Sequence, residues 1–291
     1  MSYGQVESLT VLVVTRNHQD YIAQALESVY MQRGVAIDRL VVSDDCSTDR
    51  TVEVARDVIQ RLGMTAEVIE SAEQMGITPH YERLFSGLDT DLVAILEGDD
   101  YWFDTLKLNK QLSLLRMYPY TSACALGYIQ HNQETGDIVG RDFGEGALLI
   151  MSTEDVVKGG DGFGFSNMVY RTSALRQIPP EFYSLRSYDW ITNILVSRQA
   201  PLIRLDVPGV IHRCSSSGAW EGLDLEAQLE TLIESIESYI VYSDDYLAGL
   251  LEQKLEQARA GLELARAPEP APVAPTPARR VKSAIKRLAG M

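Results

Sequence analysis

Cysteine is scarce in this chain: Cys46, Cys124 and Cys214 are the only three in 291 residues, and they are widely spaced. That excludes a disulfide framework and suits a reducing compartment. Basic residues are also few, 26 Lys and Arg against 41 Asp and Glu, which leaves a net charge of −15. A phosphate backbone needs a basic face, so nucleic acid is not an expected partner. Long apolar runs are missing, and no stretch approaches the length of a membrane span. The first residues show no basic segment followed by an apolar one, so no signal peptide is read. Together these absences describe a cytoplasmic protein. The rest of the composition is ordinary, 45% apolar and 23% charged, and the length allows a core of normal size in one large domain or one and a half.

The most informative stretch runs from Leu92 to Trp102, Leu-Val-Ala-Ile-Leu-Glu-Gly-Asp-Asp-Tyr-Trp. Its five apolar residues read as a strand buried on both faces, as in the middle of a parallel sheet. Glu97, Asp99 and Asp100 then fall just past its C-terminal end, the edge where open α/β sheets bind ligands. Three carboxylates this close repel one another unless a cation sits among them. Oxygen ligands suit a hard divalent ion such as Mg²⁺ or Mn²⁺. Gly98 lets the chain turn so that Glu97 and Asp99 face one point. The plainer alternative is a solvated acidic turn.

Taken in order, Leu9 to Val14 reads as a first strand, followed by the polar loop Thr15-Arg16-Asn17-His18 and a helix capped by Asp20, with Ile22, Ala25, Leu26 and Val29 inward. Leu40-Val41-Val42 is a second strand and runs into Ser43-Asp44-Asp45-Cys46-Ser47-Thr48-Asp49. Helices are expected over 51–62, 80–88 and 106–117, and strands over 67–69 and 92–96. Such alternation predicts a parallel sheet with right-handed crossovers, which brings both acidic clusters to one edge. From Ser122 to Trp220 the pattern is less regular, with a helix near Trp190 to Ser197, as befits a substrate-facing half.

The residues now resemble a known family. Val41 to Thr51 is similar to the DDxSxDxT signature of glycosyltransferase family 2, and Leu96 to Trp102 with Lys107, Leu108 and Gln111 resembles its LEGDDYW…KLxxQ signature. Val11 to Gln32 resembles the family's first strand and helix. The likeness extends over roughly Leu9 to Trp220. It implies a GT-A (Rossmann-like) α/β fold with a mostly parallel sheet flanked by helices, a nucleotide-sugar donor, Mn²⁺ or Mg²⁺, and transfer with inversion. By position, Thr15 and Asn17 should lie beside the nucleotide, and Asp44 or Asp45 on the base or ribose. Asp99 is the expected metal ligand, with Glu97 and Asp100 on the ribose, the metal's waters or the acceptor. Asp100 and His212 are counted as further candidate ligands. The family also places a catalytic Asp at the start of a helix in its second half, where Ser187-Tyr188-Asp189-Trp190 stands here. Asp189 is thus the expected base, against the alternative of a simple N-cap; a helix N-terminus favours an ionised carboxylate.

One stretch departs from the family's YRxHxGGxW pattern. His212-Arg213-Cys214-Ser215-Ser216-Ser217-Gly218-Ala219-Trp220 keeps the arginine, one glycine and the tryptophan, but has Ser215 at the histidine position and His212 at that of the tyrosine. Either His212 takes the missing histidine's place or metal binding is weaker. Arg213 remains a candidate diphosphate contact, because its fork matches phosphate oxygens. Gly162 to Asn167 is either an aromatic rim of the acceptor site or a plain turn with core aromatics.

Beyond the catalytic domain of residues 1–222, divided near 120 into nucleotide-sugar and acceptor halves, apolar residues recur at helical spacing over 225–240 and 247–262. Two acidic amphipathic helices in 223–266 are expected, packed on the domain or forming a homodimer coil. Residues 267–278 form a Pro/Ala linker. Arg279, Arg280, Lys282, Lys286 and Arg287 then lie opposite Val281, Ala284, Ile285 and Leu288 on a short helix in 279–291. Without those five, 21 basic residues face 41 acidic ones, a balance of −20. A basic amphipathic tail on so acidic a body suits an anionic membrane surface, and the plainer alternative is a solubilising tail. The leading expectation is an inverting glycosyltransferase of surface polysaccharide or glycolipid synthesis, peripheral at the inner membrane face, with a glycan or lipid-linked acceptor. A nucleotidyltransferase would want a Gly- and Arg-rich phosphate loop, which Thr15 to Asp20 is not. A non-catalytic binding module has only the Ser215 departure in its favour.

Overall fold

In the computed structural model, residues 7–140, 146–159, 163–186, 189–215, 220 and 222–267 are described. The linker from 268 and the basic tail lie outside them, as do Gly162, Ser187, Tyr188 and 216–219.

The first half alternates strand and helix: β1 (Leu9–Thr15), α1 (Ile22–Tyr30), β2 (Arg39–Asp44), α2 (Thr51–Leu62), β3 (Glu67–Glu70), α3 (Ile77–Ser86), β4 (Leu92–Glu97), β5 (Tyr101–Trp102) and α4 (Lys107–Met117). The second half carries β6 (Ala123–Asn132), β7 (Ile138–Gly140), β8 (Leu148–Met151), α5 (Thr153–Gly159), β9 (Met168–Arg171), α6 (Thr172–Leu175), α7 (Asp189–Gln199) and β10 (Leu202–Cys214). Two longer helices close the described chain, α8 (Leu225–Val241) and α9 (Asp245–Arg266).

The sheet runs β3-β2-β1-β4-β9-β6-β10-β5. Its first four strands are parallel, and so are β6 and β10; β9 runs antiparallel between the two groups. The expected α/β fold with a mostly parallel sheet and a C-terminal helical extension is therefore what the chain adopts. Both faces are covered. Val11, Val13, Ala94 and Leu96 pack with α1, α2 and α4 on one side, while Leu12, Val93 and Ile95 pack with α3, α5 and α7 on the other. That explains why these strands are continuous apolar runs rather than alternating ones.

Three local expectations change. Asp20 does not cap α1: the helix begins after Tyr21 with no side-chain cap, and the Tyr21 and Ile22 N–H groups donate to the His18 carbonyl at 2.9 and 2.8 Å. The preceding loop is instead tied across to α2, with His18 N donating to Thr51 Oγ1 at 2.7 Å and Gln19 N to Asp49 Oδ2 at 3.2 Å. Helix α3 starts at Ile77 rather than His80. Pro79 sits in its first turn, where a missing N–H leaves no bond unmade. The less regular half also holds more strand than its sequence suggests, because β10 continues through shifts of register around Pro208.

Helices α8 and α9 are each capped by an aspartate, Asp224 accepting from Ala227 N and Asp244 from Leu247 N, both at 2.9 Å. Ile236, Tyr239, Leu247 and Leu251 are buried in the same core as α5 and α7. The apolar stripes of this pair thus pack on the domain. Among the described residues no helix is long and apolar enough to cross a membrane, and the three cysteines are free.

Candidate active site

Both acidic clusters arrive where the alternation puts them. β1 lies between β2 and β4, and its last residues are level with the two clusters: Thr15 aligns with Asp44 and Val14 with Glu97. The C-terminal ends of three adjacent parallel strands therefore form one acidic edge.

On the β2 side the carboxylates are buried and build a loop. Asp44 accepts from Ser47 N at 2.7 Å and from Ser47 Oγ. Asp45 accepts from Met75 N at 2.8 Å and Gly76 N at 2.9 Å, which fixes the entry to α3. Asn17 adopts a left-handed backbone, φ 54°. From there its N–H donates to Ser47 Oγ and its Oδ1 accepts from Thr48 N, both at 2.8 Å. Thr15 Oγ1 lies 3.3 Å from His18 Nδ1.

On the β4 side Gly98 is required. A Cβ there would stand 2.6 Å from Thr15 Oγ1 and 2.9 Å from His18 Nδ1. With only hydrogen at that place, Asp99 comes within 3.8 Å of His18 Nε2 and keeps 37% of its side chain exposed. Asp100 is the reverse case, fully buried. Its Oδ1 accepts from Arg213 N at 2.9 Å and its Oδ2 lies 3.3 Å from His212 Nδ1. Both Asp100 oxygens thus meet β10, and each keeps a second lone pair. Arg213 donates to the Asp99 carbonyl and to Gln24, its guanidinium lying 4.7 Å from the Tyr101 ring and 5.0 Å from that of Tyr21.

The charges respond accordingly. Burial, and then the negative charges of Asp99, Asp100 and Asp189, push Glu97 well above the usual carboxylate range. Burial and the charge of Asp100 push Asp99 up as well. Burial would do the same to Asp100, but the His212 charge and the hydrogen bonds from His212, Ser166 and Arg213 N hold it below its ordinary value. Burial draws Arg213 down, against the pull of Asp100. Asp189 opens α7, where its Oδ1 accepts from Trp190 N at 2.7 Å.

A short 3-10 turn, Phe165–Asn167, joins the two halves. Ser166 Oγ accepts from Glu97 N at 3.1 Å. Trp102 Nε1 donates to Ser166 O at 2.7 Å, and Gln111 Nε2 to Asn167 O at 2.8 Å. Gln111 also accepts from the buried Lys107, whose Nζ sits 4.2 Å over the Trp102 ring and whose pKa burial lowers to about 7. Signature residues Trp102, Lys107 and Gln111 are thus scaffold for the turn. Phe163 and Phe165 are buried, so this segment is a turn with core aromatics and not an open rim. His18, named only as part of the loop with Thr15 and Asn17, and Ser166, inside the Gly162–Asn167 stretch, join the site through contacts that the linear pattern did not show.

Among the described residues no three His, Cys, Asp or Glu side chains are grouped to hold a metal ion by themselves. The donor chemistry nonetheless fits a hard cation: a half-open carboxylate amid mutually repelling ones, and an imidazole whose Nδ1 is turned to a buried carboxylate, the partner that orients a ligating histidine.

Known proteins resemble this chain in sequence and in fold. An uncharacterized protein of Mycobacterium tuberculosis and its counterpart in Mycobacterium bovis are each 29% identical over 116 residues, 40% of this chain and 34% of theirs. The matched stretch thus spans about a third of those relatives. Among solved structures, Staphylococcus aureus TarS 1-349 in complex with UDP-GlcNAc superposes with a TM-score of 0.65 at 16% identity, covering 87% of this chain and 72% of that one. The mannosyltransferase PcManGT of Pyrobaculum calidifontis, in complex with GDP-Man and Mn²⁺, gives 0.62 at 16% identity over 99% of this chain and 82% of that one. At such identity the likeness establishes the fold. The model of the family described as "Glycosyl transferase family 2" matches residues 10–178, more than half of the chain, and the protein belongs to that glycosyltransferase family.

Proposed function

We propose that this glycosyltransferase is metal-dependent and inverting, and moves a sugar from a nucleotide-sugar donor to a hydroxyl acceptor. The observation that carries the reading is the single acidic edge at the ends of β1, β2 and β4, with Asp189 close enough to raise the pKa of Glu97. The donors named with TarS and PcManGT, and the Mn²⁺ of the latter, support it.

Thr15 and Asn17 flank the nucleotide. Asp44 and Asp45 hold its loop, and each of their oxygens keeps a second lone pair for a base N–H or ribose hydroxyl. Glu97 faces the ribose or the acceptor. Asp99 holds the cation, and His212 joins it, oriented by Asp100. A bound Mn²⁺ or Mg²⁺ would neutralise charge building on the departing diphosphate. Arg213, anchored on Asp99 O and Gln24, directs its fork at diphosphate oxygens. Asp189 takes the proton of the acceptor hydroxyl as it attacks in line.

The test is Asp189→Asn, which preserves shape and removes the proton acceptor. It should keep donor affinity and lower kcat by about a hundredfold or more. Collapse of donor affinity with kcat intact would make Asp189 a binding or capping residue. Surface polysaccharide or glycolipid synthesis at the inner membrane face is the setting that the acidic body and basic tail favour.

A further inference from the structure

Tyr81 lies on α3 with 4% exposure, and its buried hydroxyl has no hydrogen-bond partner among the described residues. A native structure rarely leaves such a group unsatisfied without a reason. The ring cannot swing to solvent: it stacks 4.3 Å from Phe165 at 31° and lies 5.4 Å from Phe85. Phe165 belongs to the turn that ties the two halves of the site together. Its neighbour Ser166 accepts from Glu97 N, and Gly164 lies against Asp189, with room for a Cβ 3.6 Å from Oδ2. Burial, and then the charges of Glu97 and Asp189, keep the phenol protonated, hence a donor.

The turn packed on this ring also carries the contacts to Glu97 and Asp189, carboxylates that accept hydrogen bonds when ionised and have nothing to offer each other. A group that accepts from a phenol while donating to a carboxylate completes the arrangement, and a sugar hydroxyl does both. We propose that Tyr81 binds the sugar of the donor, its phenol donating to a sugar hydroxyl that donates in turn to the acidic cluster. The inference rests on the nucleotide-sugar reading above. The contact forms when the sugar enters and the side chains over the hydroxyl move aside.

The test is Tyr81→Phe in the full chain, which keeps the ring contacts. Thermal unfolding without ligand is measured first, then binding of UDP-GlcNAc, GDP-mannose, UDP and GDP with Mn²⁺. Removing an unpaired buried hydroxyl should leave the ligand-free melting temperature unchanged or raised. The Kd for whichever nucleotide sugar the wild type binds should rise about two- to tenfold, with the bare diphosphate unchanged. Equal sugar affinity in wild type and variant overturns the inference. So does an equal loss for sugar and diphosphate, which means a structural role, or a fall in ligand-free stability, which means the hydroxyl was already paired. A wild type that binds neither nucleotide sugar counts against the nucleotide-sugar reading itself and removes this inference with it.

Discussion

Glu97, Asp99 and Asp100 are neighbours in sequence with three different environments. Asp100 is buried with His212 and the Arg213 N–H against its oxygens; Asp99 is half open; Glu97 is half-buried among like charges. The last of these has a measurable consequence. A carboxyl whose pKa is raised on folding binds a proton more readily in the native state. Its contribution to stability is therefore intact below the unfolded value, about 4.3, and is lost as pH rises toward the folded one. Glu97→Gln removes that dependence. In metal-free buffer the variant should melt near the wild type at acid pH and progressively higher than it as pH rises to 8. A melting difference that is constant over this range would show that Glu97 does not carry the repulsion. Asp100 has the opposite sign: its lowered pKa stabilises the protein above the ordinary aspartate range and is lost in acid, so the two groups separate in a pH series.

The elements of the first half were legible because each strand is a short apolar run that stops at a polar cluster. Leu92 to Leu96 stops at Glu97 and Leu40 to Val42 runs on to Asp44, and strand ends are where such sheets bind ligands. What was not legible came from distance. Ser166 reaches Glu97 across 69 residues and His212 reaches Asp100 across 112, and no local periodicity encodes such meetings. The same holds for Tyr81, which reads as one more apolar position on α3 until Phe165 is packed against it. Helices α8 and α9 were legible as amphipathic, but not in what covers them, since a stripe of Leu and Ile serves a domain face or a coil equally. Leu251 is fully buried in the core shared with α5 and α7. Leu251→Ala should therefore destabilise the catalytic domain itself by about 2–5 kcal/mol, read as one unfolding transition followed by tryptophan fluorescence. If α9 melts separately while the sheet keeps its stability, these helices are an appended module.

At the scale of the whole chain the charge is divided, with five basic residues in the tail and a balance of −20 elsewhere. Each basic residue near an anionic bilayer contributes about 1 kcal/mol, while the acidic body is repelled, so the tail would tether the enzyme without laying the cleft on the surface. The full chain should sediment with anionic vesicles at low salt more than a chain ending at Ala267. Equal sedimentation would remove the membrane role. The cleft itself is the central claim, and one titration tests it most directly: thermal unfolding of wild type and Asp99→Ala with a panel of nucleotide sugars, each with Mn²⁺ and with EDTA. Ligand at about a hundredfold its Kd adds about 2.7 kcal/mol to folded stability. The account predicts that at least one nucleotide sugar raises the wild-type melting temperature by several degrees with Mn²⁺, less with EDTA, and not in Asp99→Ala, whose unliganded melting stays near that of the wild type. A shift of equal size in Asp99→Ala, or none with any donor of the panel, would contradict it.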